Sequence, residues 1–269
     1  MPLQAAPRAR SAARRLDPKG DIMDFKYLSI VRDLLDTIER EERGHMEECV
    51  DALYECVTGK HSIYTFGASH AGILSEELYY RAGGLMLMNP IFGREIMLDT
   101  EPITHTSAME RLVGYGTALA RSRASLQEGD VLIAHSVSGR NPVTVEVAMV
   151  AKEAGATVIA ITNLAYSQSV TSRHPSGKRL CDLADIVLDN HGDIGDAAVE
   201  IEGMDQKVSP TSTIAASAMM NSVVAALVQK LVDGGMEHPP IFYSANLDGG
   251  DELNRALYEE YKDCIRYRF

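Results

Sequence analysis

The stretch VLIAHSVSGRNPVTVEVAMVAKEAGATVIAIT, residues 131–162, decides the fold. It opens with a short apolar run and then passes through Ser136, Ser138, Gly139 and Asn141. Apolar residues at helical spacing follow, and a second apolar run ends the stretch. This order predicts a strand, a turn, a helix and a parallel strand, because parallel neighbours need a crossover connection.

The same alternation extends in both directions along the chain. We predict five strands, at residues 61–66, 85–90, 130–136, 157–162 and 184–190. Helical spacing predicts helices at residues 25–38, 46–57, 71–83, 108–126, 142–155 and 214–228. Strands that alternate with helices indicate a parallel sheet covered on both faces. The predicted fold class is therefore α/β, an αβα sandwich with a five-stranded parallel sheet preceded by an N-terminal helical pair.

The chain of 269 residues divides into three predicted parts. Residues 1–22 are rich in arginine and have no apolar core of a secretory signal, so we expect a disordered basic tail and a cytoplasmic protein. A mitochondrial presequence, or a natural start at Met23, are the alternatives for this tail. Residues 23–60 form the helical segment, and residues 61–269 form the α/β domain with a C-terminal extension.

Composition excludes several functions. A net charge of −12 disfavours nucleic-acid binding. The most apolar stretch, residues 214–228, contains Asn221 and is typical of a buried helix, so no membrane span is expected.

The four cysteines lack zinc spacing, and the loop DNHGDIGDA (189–197) has too few oxygen ligands for Ca²⁺. We therefore expect neither a metal nor a cofactor. Asp193 and Asp196 of that loop are predicted to lie at the ligand-facing edge of the sheet.

Two loops rich in small polar residues should meet at one edge of the sheet. The first strand ends in FGASHAG (66–72) and the third in HSVSGRNP (135–142). In a sheet of strand order 2-1-3-4-5 these strands are neighbours, and ligands bind where the order reverses. Each loop leads into a helix N-terminus, which attracts anions. Hydroxyl and amide donors there predict a phosphate site, with helix capping and turn formation as the alternative.

The stretch from Val131 to Asn163 resembles the core of the SIS (sugar isomerase) domain, which reads S-x-S-G-x-[TN] after a strand. Three further strings look like the uncharacterised UPF0309 group of single-SIS-domain proteins: SRHPSGKRLCDLADIVLDNHGDIGDAAVEI, SPTSTIAASAMMN and PPIFYSANLDGGDELN. The resemblance implies a flavodoxin-like SIS fold over residues 61–269. It also implies a phosphosugar ligand, because SIS domains bind phosphosugars and many are isomerases.

Residue by residue, the resemblance implies the binding groups. Ser136, Ser138 and Asn141 fall on the phosphate-binding positions of the family, and Gly139 between them lets the backbone approach the ligand. In the first loop either Ser69 or, in an ungapped match, Ala71 takes the family's serine position, and we favour Ser69 as a donor. His70 beside it is a further candidate, with helix capping as the alternative. At the start of a later helix, Thr211 and Ser212 are candidate sugar contacts, since this helix borders the sugar pocket in SIS domains.

Isomerisation of a sugar phosphate needs a base at the carbon next to the carbonyl. LSEEL resembles a helix of phosphoheptose isomerases whose second glutamate is catalytic, which implies Glu77 as the base. Glu110 loosely resembles the second acid of N-acetylmuramic acid 6-phosphate etherases. His191, in a predicted loop, is a candidate acid, as is His105. For each of these residues a solvated surface position is the alternative.

Three functions fit these features. The first is an enzyme that acts on a phosphorylated sugar or amino sugar, as an isomerase or as a lyase or etherase with the same proton abstraction. The second is a phosphosugar sensor without catalysis, and the third is a structural oligomer with a vestigial site. The apolar faces of the N-terminal helices predict a homodimer or homotetramer in which the site lies near the subunit interface.

Overall fold

The computed structural model describes residues 24–269, so the expected basic tail at 1–22 lies outside the described residues. Its centre is a five-stranded parallel sheet with the strand order β2-β1-β3-β4-β5. The strands are β1 (Ile63–Gly67), β2 (Met88–Pro90), β3 (Val131–His135), β4 (Thr157–Thr162) and β5 (Ile186–Asp189). The predicted fold class is confirmed, and the strand order is the one under which the two polar loops become neighbours.

Helices cover both faces of this sheet. In chain order they are α1 (Lys26–Glu41), α2 (Arg43–Thr58), α3 (Ile73–Leu78), α4 (Thr104–Glu110), α5 (Tyr115–Arg123), α6 (Pro142–Glu153), α7 (Leu164–Ser169), α8 (Ser212–Asp233) and α9 (Gly250–Tyr261). Side chains of β3 alternate between the faces, so that Val131 and Ile133 pack in the core with α2 and α8. Leu132 and Ala134 pack in the opposite core with α5 and α6.

Several elements differ from the sequence-based expectation. The helix expected at 71–83 is a short 3₁₀ turn, Ser69–Gly72, followed by α3, and only the end of the strand expected at 85–90 pairs, as β2. An antiparallel pair of three-residue strands, β6 (Ala197–Val199) and β7 (Val208–Pro210), was not predicted, nor were α7 and α9. Elements as short as β6, β7 and α7 leave little periodicity in the sequence, whereas α9 has twelve residues.

The helix expected at 108–126 is divided into α4 and α5 by Gly114, whose φ is +93°. The buried carboxylate of Glu146 on α6 causes the break. It accepts hydrogen bonds from the backbone N–H groups of Gly114 (2.5 Å) and Thr117 (3.1 Å), and thereby takes the place of a cap at the start of α5. The break makes Glu110 the last residue of α4 and leaves its side chain free to turn towards the sheet edge.

α8 is the one helix within residues 24–269 that is long and apolar enough to cross a membrane by length and composition. Nearly half of its most apolar window is buried, and it packs against α1, α2 and α3. Met219, Val223 and Leu227 form part of the core on that face of the sheet. The N-terminal helical pair thus shares one core with α8 and the sheet.

Candidate functional site

The first loop of the site follows β1. Gly67 at the end of β1 pairs with His135 of β3, so the loops that follow the two strands begin side by side. A Cβ atom on Gly67 would lie 2.3 Å from the carbonyl oxygen of Ala71, which shows why only glycine fits there. Ser69 has a φ of 51°, in the left-handed region that residues other than glycine seldom adopt. The tight turn therefore fixes the direction of the Ser69 hydroxyl.

The second loop follows β3 and leads into α6. Gly139 has a φ of 61°, and its carbonyl oxygen accepts a hydrogen bond from the N–H of Leu180 (2.8 Å). Asn141 is the N-cap residue of α6 but its side chain makes no capping hydrogen bond, and Pro142 occupies the first turn as predicted. The N-terminus of a twelve-residue helix thus faces the sheet edge without a side-chain cap.

A carboxylate joins the two loops. Oε1 of Glu110 accepts a hydrogen bond from Ser69 Oγ at 2.5 Å, and Oε2 accepts one from Asn141 Nδ2 at 2.7 Å. The two donors come from different loops and converge on one oxyanion. Hydrogen bonds to a charged group are stronger than those between neutral groups, so this contact orients Glu110 firmly.

The loops and α4 enclose a cavity of about 480 Å³. Six of the residues predicted from the sequence line it: Ser69, His70, Glu110, Ser136, Ser138 and Asn141. The lining also includes Thr104, Thr106, Ser107, Tyr166 and Asp196. The sequence had placed Asp196 at this edge but did not single out the others. The hydroxyl-rich run THTS at 104–107 was the available signal for three of them.

Three other predicted residues lie around this cavity rather than in its lining. Gly139 is buried, and a Cβ atom there would lie 3.2 Å from Leu180. Ser212 donates from its hydroxyl to Asp196 Oδ2 at 2.6 Å, and the N–H groups of Thr211 and Ser212 donate to Oδ1 of the same carboxylate. Asp196 thus caps α8 and at the same time borders the cavity.

Glu77 and His191 are placed differently from their predicted catalytic positions. The Glu77 carboxylate is held by Arg81 and by Asn221 Nδ2 of α8, and it does not line the cavity. The reason is that α3 ends at Leu78, so Glu77 lies in its last turn against α8. Within one chain Glu77 thus lies outside the cavity, and its role as a base stays a prediction.

His191 follows β5 with a φ of 49°, and its Nε2 lies 2.8 Å from Oε1 of Glu42. Glu42, at the junction of α1 and α2, is buried and also contacts His45. His191 does not line the cavity either. It ties the N-terminal helical pair to the sheet edge, and its role as an acid stays a prediction.

His135 lies beneath the first loop at the end of β3. Its Nδ1 contacts the carbonyl oxygen of Ala71 at 3.0 Å, which makes Nδ1 the protonated nitrogen, and its buried Nε2 has no hydrogen-bond partner within residues 24–269. Burial lowers the pKa of this imidazole, although the hydrogen bond to Ala71 and the charge of Asp196 oppose the shift. His135 is therefore a neutral support for the loop that carries Ser69.

Across the described part of the chain, no group of three His, Cys, Asp or Glu side chains is arranged to hold a metal ion. The chemistry available at the cavity is that of hydroxyl and amide donors, one carboxylate held between two loops, and an exposed imidazole at His70. Such a set can bind an oxyanion and move a proton.

The sequence matches the SIS domain profile over residues 26–163. The UPF0309 protein of Shouchella clausii is 51% identical over 241 residues, which cover 90% of this chain and 97% of that protein. The UPF0309 protein of Oceanobacillus iheyensis is 48% identical over 242 residues, 90% of this chain and 98% of that protein. Among solved structures, the phosphoheptose isomerase of Neisseria gonorrhoeae superposes with a TM-score of 0.46 and 17% identity over 77% of this chain and 96% of its own. The chain belongs to the SIS domain family and, within it, to the UPF0309 group.

Proposed function

We propose that this protein binds the phosphate ester of a sugar or amino sugar in the cavity between the β1 and β3 loops and isomerises it by proton abstraction. One observation carries the proposal. Ser69 and Asn141, one from each loop, hold the Glu110 carboxylate inside a cavity that Ser136 and Ser138 also line. Membership of the SIS domain family supports the same ligand class.

The phosphate lies at the second loop in this proposal. Ser136 and Ser138 present hydroxyl donors there, and α6 begins immediately after the loop without a side-chain cap. The free N–H groups and the dipole of a helix N-terminus favour an anion at this position. Because Asn141 donates to Glu110, its role changes from the predicted phosphate donor to a residue that positions the carboxylate.

The proton transfer falls to Glu110. Its carboxylate takes the proton from the carbon next to the sugar carbonyl; the electron pair of that C–H bond forms the C=C bond, and the electron pair of the C=O π bond takes a proton from an acid, which gives the enediol. The carboxylate then returns its proton to the former carbonyl carbon while the hydroxyl of the other carbon gives its proton back to the acid and becomes the new carbonyl, so that aldose and ketose interconvert without a net change in protons or electrons. Ser69 and Asn141 keep the carboxylate oriented, and His70 is exposed at the cavity, where an acid would contact the carbonyl oxygen.

Calorimetry with a panel of sugar phosphates tests the binding site. We expect the double variant Ser136→Ala/Ser138→Ala to lose roughly tenfold in affinity for each hydroxyl, since one neutral hydrogen bond contributes about 1 to 1.5 kcal/mol. The matched control is Ser29→Ala/Ser122→Ala, in which both hydroxyls bond only to backbone carbonyls of their own helices. Unchanged affinity of the first variant would refute the site.

Solvent deuterium incorporation tests the activity. A sugar phosphate that binds should take up deuterium at the carbon next to its carbonyl when it is incubated with the protein in D₂O. Tight binding without any exchange would instead identify a phosphosugar sensor, the non-catalytic alternative.

A further inference from the structure

Three arginines are neighbours of Glu110 or Asn141 in the chain or in space, and we call Arg111, Arg140 and Arg173 the arginine cluster. Arg111 follows Glu110 directly, and Arg140 directly precedes Asn141. The backbone N–H of Arg173 donates to the carbonyl oxygen of Arg140 at 2.9 Å. Nη1 of Arg173 donates to Oδ1 of Asn141, also at 2.9 Å. Hydrogen bonds thus connect the cluster to a residue that lines the cavity.

The positive charges of the arginine cluster are not neutralised by ion pairs. Within residues 24–269, no carboxylate oxygen lies within 4.0 Å of any of the three guanidinium groups. Other arginines of the described residues also lack ion pairs, among them Arg32 and Arg255. What distinguishes the cluster in a chain of net charge −12 is that its unpaired charges lie near enough to one another to act on Arg173.

Two further features show that this arrangement costs free energy. Nε of Arg140 is buried and has no hydrogen-bond partner among the described residues. A buried donor without a partner loses the hydrogen bonds that water would provide. The pKa of Arg173 is lowered, first by partial desolvation and then by the charges of Arg140 and Arg111, although Tyr166 and Glu110 oppose the shift. The positive charges of these arginines repel one another, and an anion bound between them would offset this repulsion.

We propose that the arginine cluster binds a second anionic group of the ligand, so that the substrate is a sugar phosphate that carries a further phosphate or carboxylate. This inference rests on the proposed function, because it needs the first phosphate to lie at Ser136 and Ser138. Guanidinium groups bind phosphate and carboxylate in a bidentate manner, and both anions supply the acceptors that Arg140 lacks.

The position of the cluster argues for a second group on the same molecule. None of the three arginines lines the cavity, so they lie beyond the residues that hold the first phosphate. Arg173 nevertheless touches Asn141, which does line it. A ligand that fills the cavity therefore ends close to the cluster, and one sugar bridges the two anion sites.

Matched pairs of ligands test the inference by calorimetry at low salt. Fructose 1,6-bisphosphate against fructose 6-phosphate adds a phosphate, and 6-phosphogluconate against glucose 6-phosphate adds a carboxylate. The readout is the ratio of affinities within each pair. We expect wild type to bind at least one doubly anionic member roughly tenfold or more tightly, because hydrogen bonds between charged groups contribute about 1.5 to 3 kcal/mol. The pair with the larger ratio identifies the anion.

Variants of the cluster should abolish this preference. Arg173→Gln and Arg111→Gln change exposed side chains, which favours folding, and each should bring the ratio close to one. Arg173→Lys keeps the positive charge but loses the planar pair of N–H donors with which a guanidinium group binds an anion. We therefore expect an affinity ratio between those of wild type and Arg173→Gln. Arg121→Gln, an exposed arginine that pairs with Glu153, is the control and should keep the wild-type ratio.

Two results would overturn the inference and leave the proposed function intact. One is a ratio near one in wild type. The other is a preference in wild type that the cluster variants retain, which would place the arginines at the first phosphate or at no ligand. If no sugar phosphate binds at all, the proposed function fails and this inference fails with it.

Discussion

Ser69 Oγ donates a hydrogen bond to Glu110 Oε1 at 2.5 Å, although 41 residues separate the two positions in the chain. The contact brings the last residue of α4 to the loop after β1, at the edge of the sheet where the strand order reverses. It is the reason that Glu110, rather than Glu77, lines the cavity.

The first prediction separates these two carboxylates. We expect Glu110→Gln to lower the rate of solvent deuterium exchange into a bound sugar phosphate by roughly 10² to 10⁴, the usual contribution of a positioned base. Glu77→Gln should keep most of the exchange, because Glu77 is held by Arg81 and Asn221 outside the cavity. The opposite outcome, loss in Glu77→Gln alone, would restore Glu77 as the base and indicate that it acts across a subunit interface.

The second prediction concerns the tight turn after β1. Gly67→Ala places a Cβ atom 2.3 Å from a backbone carbonyl oxygen, so the turn that carries Ser69 must shift. We expect a loss of about 1 to 3 kcal/mol in the free energy of unfolding, measured by urea titration, together with weaker binding of sugar phosphates. Gly44→Ala in α2, where no atom lies within 4 Å of the added Cβ, is the control and should cost almost nothing. Equal effects of the two changes would contradict the proposed strain.

The third prediction uses the buried imidazole of His135. Because burial lowers its pKa in the folded protein, the unfolded chain binds a proton at a higher pH than the folded chain does. The contribution of neutral His135 to the free energy of unfolding is therefore fully present above about pH 6.5, the unperturbed pKa of histidine. As the pH decreases from this value, the contribution falls by up to ~1.4 kcal/mol per pH unit, until the pH reaches the pKa of His135 in the folded protein.

Urea titrations between pH 5 and pH 7.5 test this dependence. The free energy of unfolding of His135→Asn should fall less steeply with decreasing pH than that of wild type. His238→Asn changes an exposed histidine and should leave the slope as in wild type. Parallel curves for wild type and His135→Asn would rule out His135 as the source.

The fourth prediction is that the chain forms a homodimer or homotetramer. A groove of about 590 Å³ runs between α1, α2 and α8, with Leu35, Met46 and Val223 among its mostly apolar lining. We expect Ala226→Arg, which introduces a charge into this groove, to shift the species seen in sedimentation velocity towards the monomer. Ala225→Arg is the control on the neighbouring face of α8. A wild-type chain that sediments as a monomer at micromolar concentration would refute the prediction.

The sequence was sufficient to predict the parallel sheet and the two polar loops at its edge. Each strand is a compact apolar run, as in residues 131–134, and the polar residues follow at the point where pairing ends. These signals are local, and local periodicity determines which residues face the core. Six predicted site residues accordingly line one cavity.

The remaining features depend on contacts between distant segments. The break between α4 and α5 that frees Glu110 is caused by Glu146, which lies 32 residues beyond Gly114. The sequence places His191 in a loop where it could contact a ligand. In the structure its imidazole contacts Glu42, which lies 149 residues earlier in the chain. The arginine cluster brings together three positions from separate loops. Neither the periodicity of apolar residues nor a short motif indicates contacts between residues so far apart in the chain, so these contacts could not be predicted from one sequence.

The N-terminal helical pair has a consequence for synthesis on the ribosome. Its contacts reach far along the chain: Tyr27 donates to the carbonyl oxygen of Pro210, Glu42 meets His191, and Lys230 pairs with Asp51. At roughly 5 to 20 residues per second, translation takes about 7 to 37 s to proceed from the pair to these partners. α1 and α2 are thus synthesised well before the segments that they pack against, and their apolar faces remain open to other nascent chains until α8 emerges.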